Sequence, residues 1–204
     1  MTAVEQTMTA DEQAVDAGVP AEDASSGTRG LRVRCAARWP ESPEDRAQSL
    51  PQIAGFVLSS FNPLVAEVAE RCLSRRPGLP AGRTAILLAS EGGDRATARA
   101  LAEAVREGRR VPPLLFFQSN PNAVLGHVAS RWRLTGPVVS LGLPAGGGAI
   151  WPAALAEAEL LLLDGDAEEV LVIAAEQGSD ADGEGDRAEA VLVDRPRTRE
   201  ETPR

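Results

Sequence analysis

The stretch PNAVLGHVASRWRLTGPVVSLGLPAGGG, residues 121–148, combines the local signals that decide the fold. In its first half apolar residues recur at helical spacing, which predicts an amphipathic helix with Asn120 as its cap and Pro121 at its first position. Residues 135–137, Thr-Gly-Pro, end that helix. Residues 138–143 form an apolar run typical of a strand buried on both faces, and the three glycines that follow predict a sharp turn into another helix.

This predicted unit of strand, turn and helix lacks a nucleophile. Many α/β enzymes mount their nucleophile at such a turn, because the backbone there presents one side chain at the end of the sheet. Here the turn begins with Pro144, Ala145 and Gly146, and none of them offers a thiol, a hydroxyl or a base. The unit is therefore predicted to be catalytically silent.

The same stretch resembles the N-terminal half of β-ketoacyl synthases. In that family a helix with Asn-x-x-x-Gly precedes Gly-Pro, a strand and an active-site cysteine that begins a helix. Asn122, Gly126, Gly136 and Pro137 match this pattern, and the family's cysteine falls at or near Ala145. The Ala-Gly-Gly run is similar to chain length factors, the silent partners of ketosynthases in type II polyketide synthases, although those usually carry glutamine at this position.

The remaining elements are read from apolar periodicity and turn residues. Further strands are predicted at residues 31–37, 83–89, 170–175 and 188–193, and further helices from Pro63, at 95–107 and at 149–163. Three prolines predict that residues 40–60 form a loop without a helix. The order of elements indicates a layered α/β domain with a mostly parallel five-stranded sheet. The resemblance, which extends over residues 31–194, implies one half of a thiolase-type fold.

Domain boundaries follow from composition. Residues 1–29 mix acidic and small residues without apolar periodicity and are predicted to be a disordered acidic tail. Residues 30–195 form the ketosynthase-like domain, which contains a flexible acidic loop at 178–187. Residues 196–204 are predicted to be a second disordered tail.

Composition narrows the classes of function. A net charge of −9 argues against a general nucleic-acid surface, and no apolar run is long enough to cross a membrane. The N-terminus has no apolar core of signal-peptide length, so a cytoplasmic protein is expected. Cys35 and Cys72 are expected to be buried, reduced thiols, and no metal or cofactor is predicted. His127, the only histidine, is expected to be a packed or surface imidazole and not a catalyst.

The resemblance implies a truncated, non-catalytic chain-length-factor-like subunit, because the catalytic histidine motifs of the family's second half are absent from these 204 residues. Its partner would be a full-length ketosynthase subunit in polyketide or fatty-acid-like biosynthesis, and an acyl carrier protein would meet it through that complex. The predicted partner-interface strand comprises Val138, Val139, Ser140, Leu141, Gly142 and Leu143. The candidate acyl-tunnel residues are Phe116, Phe117, Asn120, Ala123, Val124 and His127, with Phe117 preferred over Phe116 as a gate.

Three alternatives stay open. The two phenylalanines could fill the core of the domain, and this is the expectation for at least one of them. The chain could be an acyl-transfer enzyme with another nucleophile, for which Ser119 and Ser140 are the nearest hydroxyls, although neither lies in a Gly-x-Ser-x-Gly motif. It could also be a stand-alone binding or scaffold module derived from a ketosynthase.

Overall fold

The computed structural model describes residues 30–78, 82–145, 150–178 and 185–196. These parts of the chain form five strands and six helices. In chain order they are β1 (Arg32–Trp39), α1 (Pro43–Ala47), α2 (Phe61–Ser74), β2 (Thr84–Ser90), α3 (Arg95–Arg106), α4 (Pro113–Gln118), α5 (Pro121–Trp132), β3 (Val138–Gly142), α6 (Ile150–Leu163), β4 (Glu169–Glu176) and β5 (Arg187–Asp194).

The strands form one mixed sheet in the order β1-β5-β4-β2-β3. The β4-β2 and β2-β3 pairs are parallel, whereas β1-β5 and β5-β4 are antiparallel. The predicted α/β class and the five strands are confirmed. The sheet is more evenly mixed than the prediction of a mostly parallel sheet, because the final hairpin brings β5 back antiparallel to β4.

Strand β2 lies inside the sheet and is buried at each of its seven positions. Its side chains alternate between the two faces, as the period of two in a strand requires. Ile86 and Leu88 pack in the core beneath α2 and α5, whereas Ala85, Leu87 and Ala89 pack in the core beneath α6. The sheet is therefore the middle layer of three, and each face is covered by helices.

Helix α5 begins and ends where local signals predict. The Asn120 side chain caps it by accepting a hydrogen bond from the Asn122 amide at 3.0 Å, and Pro121 occupies the first turn. The helix ends at Arg133, which has a left-handed backbone with φ of 55°. Gly136 then brings the chain against β2, where its amide donates to the Thr84 carbonyl at 3.0 Å. This contact places β3 beside β2.

Two predictions about local structure were wrong. Residues 40–60 contain a helix, α1, because Ser42 and Asp45 form a reciprocal capping box and Pro43 occupies the first turn, where its missing N–H costs little. Residues 138–143 were predicted to be buried on both faces. Instead β3 is an edge strand whose residues are half-buried or exposed, since β2 is its only partner in the described part of the chain.

The predicted disordered tails at 1–29 and, beyond residue 196, at 197–204 lie outside the described residues, as does 179–184 within the predicted acidic loop. The first residues of the predicted helix at 149–163 also fall outside, and its described part begins at Ile150. None of the described helices is both long and apolar enough to cross a membrane.

We predict that Gly136→Ala destabilises the domain by about 1–3 kcal/mol. A Cβ at Gly136 would lie 2.6 Å from the Ala85 nitrogen and 2.8 Å from the Thr84 oxygen, and these backbone atoms of β2 cannot move aside. Urea unfolding followed by circular dichroism would measure the change in the free energy of unfolding.

Gly126→Ala is the matched control, because a Cβ at that position in α5 meets no atom within 4 Å. The gain in helix propensity should stabilise this variant by about 0.5–1 kcal/mol. If the two variants had equal stability, the close approach of Gly136 to β2 would not constrain the fold.

Candidate functional site

The carboxyl ends of the parallel strands β2, β3 and β4 meet at one edge of the sheet, which we call the carboxyl edge. This is the edge at which parallel α/β sheets place their ligand and catalytic sites. Ser90 ends β2, Glu176 ends β4, and Ala145 follows β3 in an exposed turn. The predicted nucleophile position therefore lies at the expected edge of the sheet and carries only a methyl group.

Glu176 holds the loop that follows β2. Its carboxylate accepts hydrogen bonds from the Ser90 hydroxyl at 3.0 Å, from the Gly92 amide at 3.0 Å and from the Glu91 amide. The Ser90 oxygen in turn accepts from the Gly93 amide at 2.7 Å. Glu176 at the end of β4 therefore orders the turn between β2 and α3.

Gln177 extends the polar framework beneath the carboxyl edge. Its side-chain amide donates to the hydroxyls of Ser59 and Ser60 at 3.0 and 3.1 Å and accepts from the Ala96 amide at 3.1 Å. Its backbone carbonyl accepts from the Arg95 guanidinium. A single buried glutamine thus joins the end of β4 to the starts of α2 and α3.

Gln118 plays the same part at the end of α4. Its side chain accepts from the Val57 amide and donates to the Thr97 hydroxyl, both at 3.2 Å, and its carbonyl accepts from Asn62 at 3.4 Å. Asn62 also donates to Asp94 at 3.1 Å. Because Gln118, Thr97 and Asn62 are buried, these hydrogen bonds avoid most of the cost of unpaired polar groups, and only the Oδ1 atom of Asn62 is left without a partner among them.

This amide network was not predicted from the sequence. The available signal was weak: Gln118 directly follows an apolar run, Gln177 follows another after Glu176, and a polar residue near the end of such a run is often bonded to a neighbouring element. The partners of each glutamine lie 21 to 118 positions away along the chain, so only the tertiary structure identifies them.

A depression of about 510 Å³ lies beside the start of α5, and we call it the α5 groove. Phe117, Asn120, Ala123 and His127, four of the six candidate tunnel residues, line it. Phe56 forms its floor opposite His127, and the two rings meet edge to face with their centroids 6.3 Å apart. The structure therefore gathers most of the candidate residues around one open surface.

The other two candidates lie elsewhere. Val124 is 0% exposed and packs in the core between α2, α5 and the sheet, so it has no face left to line a tunnel. Phe116 does not line the α5 groove and is 72% exposed, whereas Phe117 is 58% exposed. The expectation that at least one of these rings fills the core was wrong, because α4 lies at the surface and only Gln118 of that helix is buried.

The backbone of β3 offers one open side. The Pro137 carbonyl and the Leu143 amide both bond to β2, at 2.9 and 3.0 Å. Since successive residues of a strand direct their amides to opposite sides, Val138, Ser140 and Gly142 direct theirs away from β2. The side chain of Val138 is also 39% exposed.

The alternative nucleophiles are poorly equipped. The Ser119 hydroxyl donates to the Phe116 carbonyl at 2.7 Å, which leaves it engaged with its own helix. Ser140 lies half-buried within β3. Over the described ranges, histidine, cysteine and carboxylate side chains form no group of three that could hold a metal ion.

A second depression, of about 340 Å³, lies between the end of β4 and the start of α6. Trp151 donates its indole N–H to Glu189 at 3.1 Å across this space. Burial raises the pKa of the Glu189 carboxyl above its ordinary value, while the bond from Trp151 and the charge of Arg38 act in the opposite direction. This depression borders Glu176, but none of its residues was a candidate from the sequence.

Comparison with known proteins establishes the family. A sequence profile described as "Beta-ketoacyl synthase, N-terminal domain" matches residues 32–182. The chain belongs to this family, as the resemblance predicted. A comparison with curated proteins gave no match.

Solved structures share the fold. The ketosynthase ApeO in complex with its chain length factor ApeC, from Xenorhabdus doucetiae, aligns with a TM-score of 0.63 at 16% identity over 82% of this chain and 79% of that one. The ishigamide ketosynthase/chain length factor aligns with a TM-score of 0.65 at 18% identity over 81% of this chain and 62% of that one. A type II polyketide synthase acyl-carrier protein in complex with its ketosynthase, AntDE:AntF, aligns with a TM-score of 0.56 at 13% identity over 81% of this chain and 62% of that one.

At these identities the likeness shows the fold, and it confirms the predicted thiolase-type half. This chain spans just under two thirds of the length of the second and third of these structures.

We predict that Glu176→Gln lowers the free energy of unfolding by about 1–3 kcal/mol, because an amide N–H₂ would replace one of two acceptor oxygens that face backbone donors. The amides of Glu91, Gly92 and Gly93 should exchange their hydrogens faster in hydrogen-exchange mass spectrometry. The control is Glu103→Gln, the same chemical change at an exposed position of α3. Unchanged exchange in residues 91–93 of the Glu176 variant would contradict the anchoring role.

Proposed function

We propose that this chain is a non-catalytic, chain-length-factor-like subunit that pairs with a full-length ketosynthase subunit and bounds its acyl tunnel. One observation carries the proposal: the edge strand β3 leads into Ala145 at the carboxyl edge, where a condensing enzyme needs its nucleophile. Strand β3 before this position and helix α6 after it belong to the family fold, whereas Ala145 carries no reactive group.

The chemistry of acyl transfer supports a silent role. A ketosynthase holds its acyl chain as a thioester, which requires a thiolate at the end of the strand. The methyl group of Ala145 can form no such bond, and the neighbouring Pro144 offers no substitute. The chain also presents the α5 groove and the edge strand β3 at its surface, and both features suit contact with a partner protein.

The partner is proposed from fold and surface together. Two of the similar structures contain a ketosynthase and a chain length factor, so proteins of this fold form such pairs. The third contains an acyl-carrier protein bound to its ketosynthase, which supports contact with a carrier protein through the complex. Polyketide or fatty-acid-like biosynthesis is the corresponding pathway class.

The two edge strands of the sheet, β1 and β3, differ in charge, and the difference favours β3 as the strand that contacts the ketosynthase. Strand β1 carries Arg32, Arg34 and Arg38, and charged side chains on an edge strand oppose pairing with another chain. Strand β3, with the sequence VVSLG, carries no charge. We infer that β3 pairs with a strand of the ketosynthase and continues the sheet across the interface.

The α5 groove is proposed as part of the tunnel wall. It adjoins α4 and α5, and its residues combine apolar rings with the small side chain of Ala123. Packed walls do not yield freely to extra methylene groups, so the volume of the side chains there would limit the length of an acyl chain. Phe117, exposed at the rim, is the proposed gate.

Catalytic silence is the first prediction. The chain should acquire no stoichiometric acyl group from an acyl-thioester and should not decarboxylate a malonyl-thioester, because Ala145 supplies no nucleophile. Intact mass spectrometry and product analysis would measure both reactions, with a ketosynthase as the positive control. The assay should use the Cys35→Ala variant, since Cys35 is the more accessible of the two thiols. A stoichiometric adduct on this variant would favour the acyl-transfer alternative.

Pairing through β3 is the second prediction. Ser140→Pro removes an amide that points to the open edge, whereas Ser140→Ala keeps it, and an edge strand tolerates proline on that side. Co-expressed with a full-length ketosynthase of the same organism, the alanine variant should co-purify as the original chain does. The proline variant should lose the complex while keeping its own thermal transition within a few degrees.

Size-exclusion chromatography with light scattering would report the complex, and circular dichroism would report the fold. If the proline variant bound the ketosynthase normally, pairing through β3 would be excluded. If the original chain formed no complex with any ketosynthase of its organism, the proposed partner role would be wrong.

The acyl gate is the third prediction. Phe117→Ala should leave the complex assembled and shift its products to longer chains, because the exposed ring contributes little to the core but lines the α5 groove. Phe116→Ala is the matched control, since it removes a similarly exposed ring that does not line the groove. Product lengths would be compared by mass spectrometry. An identical product distribution for both variants would show that Phe117 does not gate the tunnel.

A further inference from the structure

The two cysteines of the chain lie in contact. The Cys35 sulfur, on β1, and the Cys72 sulfur, on α2, are 3.8 Å apart, although the residues are separated by 37 positions in the sequence. Both are free thiols. The Cys72 S–H also lies 3.6 Å from the Cys35 carbonyl oxygen. Their sequence positions indicate two separate thiols, and the fold brings them together as a pair.

We propose that Cys35 and Cys72 form a reversible disulfide that links β1 to α2 when the chain meets a small-molecule disulfide such as oxidised glutathione. This site is independent of the proposed ketosynthase partnership. It lies on β1, at the opposite end of the sheet from β3.

The geometry permits the bond with a small movement. A disulfide requires the two sulfurs to approach each other by about 2 Å from van der Waals contact. β1 can supply this movement, since it is an edge strand with a free outer side in the described part of the chain. Its pairing with β5 also shifts register between Val33 and Cys35, so the backbone is irregular at this point.

The surroundings distinguish the two thiols. Cys35 is half-buried, whereas Cys72 is 0% exposed. The pKa of Cys35 is lowered, because the hydrogen bond with the Cys72 thiol and the charges of Arg76 and Arg34 favour the thiolate, whereas burial acts in the opposite direction. The same hydrogen bond and burial raise the pKa of Cys72. Cys35 is therefore the attacking thiol, since it is the one of the pair that a small-molecule disulfide can reach, and its lowered pKa favours the nucleophilic thiolate.

The exchange has two steps. The Cys35 thiolate attacks one sulfur of oxidised glutathione, forms a mixed disulfide and releases one glutathione thiolate. Cys72 then loses its proton and attacks the Cys35 sulfur, which releases the second glutathione thiolate. The protein gives up two electrons and the protons of its two thiols, and oxidised glutathione becomes two molecules of reduced glutathione.

The disulfide should stabilise the fold. It closes a long loop that contains α1 and most of α2, and cross-links over long loops restrict the unfolded chain. The oxidised protein should unfold at a temperature higher by roughly 5–10 °C than the reduced protein.

The experiment uses the full chain, purified reduced and then incubated with oxidised glutathione under native conditions. Intact mass spectrometry should show the loss of two hydrogen atoms without a glutathione adduct, and peptide mapping should find one cross-linked pair containing both cysteines. The chain has only two cysteines, so the assignment is unambiguous, and a non-reducing gel separates intermolecular links. Reduction with excess thiol should restore the original mass and the lower unfolding temperature.

Two variants test the order of attack. Cys72→Ala should retain one glutathione on Cys35, because no second thiol can displace it, whereas Cys35→Ala should react at least tenfold more slowly, since Cys72 is buried. Stable glutathione adducts on the original chain, or no reaction over hours, would overturn the proposal. So would equal rates for the two variants. The thermal comparison of reduced and oxidised original chain needs no substitution and holds even if a variant fails to fold.

Discussion

Burial of the central strand β2 is the constraint on which the rest of the structure depends. All seven of its residues are buried, so water can satisfy neither its backbone groups nor its side chains. Its two edges must be paired, by β4 and β3, because buried amides and carbonyls need partners. Its two faces must be covered, by α2 and α5 on one side and α6 on the other. Gly136 makes the closest of these contacts with β2. A residue without a side chain is required there, because a Cβ would collide with the backbone of Thr84 and Ala85.

The polar framework at the carboxyl edge explains how a member of a condensing-enzyme family can keep its architecture around Ala145. Glu176, Gln177 and Gln118 hold the loops at this edge through bonds to backbone amides and to buried hydroxyls. None of these bonds involves Ala145, the proposed nucleophile position. The support of this edge therefore does not depend on the side chain at residue 145, and this is compatible with the proposed non-catalytic role.

The two edges of the sheet, at β1 and β3, differ in their charged residues. At the β1 end, Arg32 and Arg34 bond to Asp194 at 2.7 to 2.9 Å, and buried Glu169 pairs with Arg76 nearby. Desolvation raises the pKa of Glu169 while the arginines act against it. At the β3 end such charges are absent from the strand. One edge thus carries ion pairs within the chain, and the other has amides that no described segment pairs, beside apolar side chains.

The sequence by itself determined the elements whose signals are local. The cap at Asn120, the helix that follows it and the buried runs of β2 and β4 were predicted, because capping and apolar periodicity act within a few residues. The position of a strand in the sheet is not a local property, so the apolar run of β3 was misread as fully buried. For the same reason, the contact of Cys35 with Cys72 and the partners of the glutamines could not be predicted from the sequence. These depend on which distant segments the sheet brings together, and only the tertiary structure decides that.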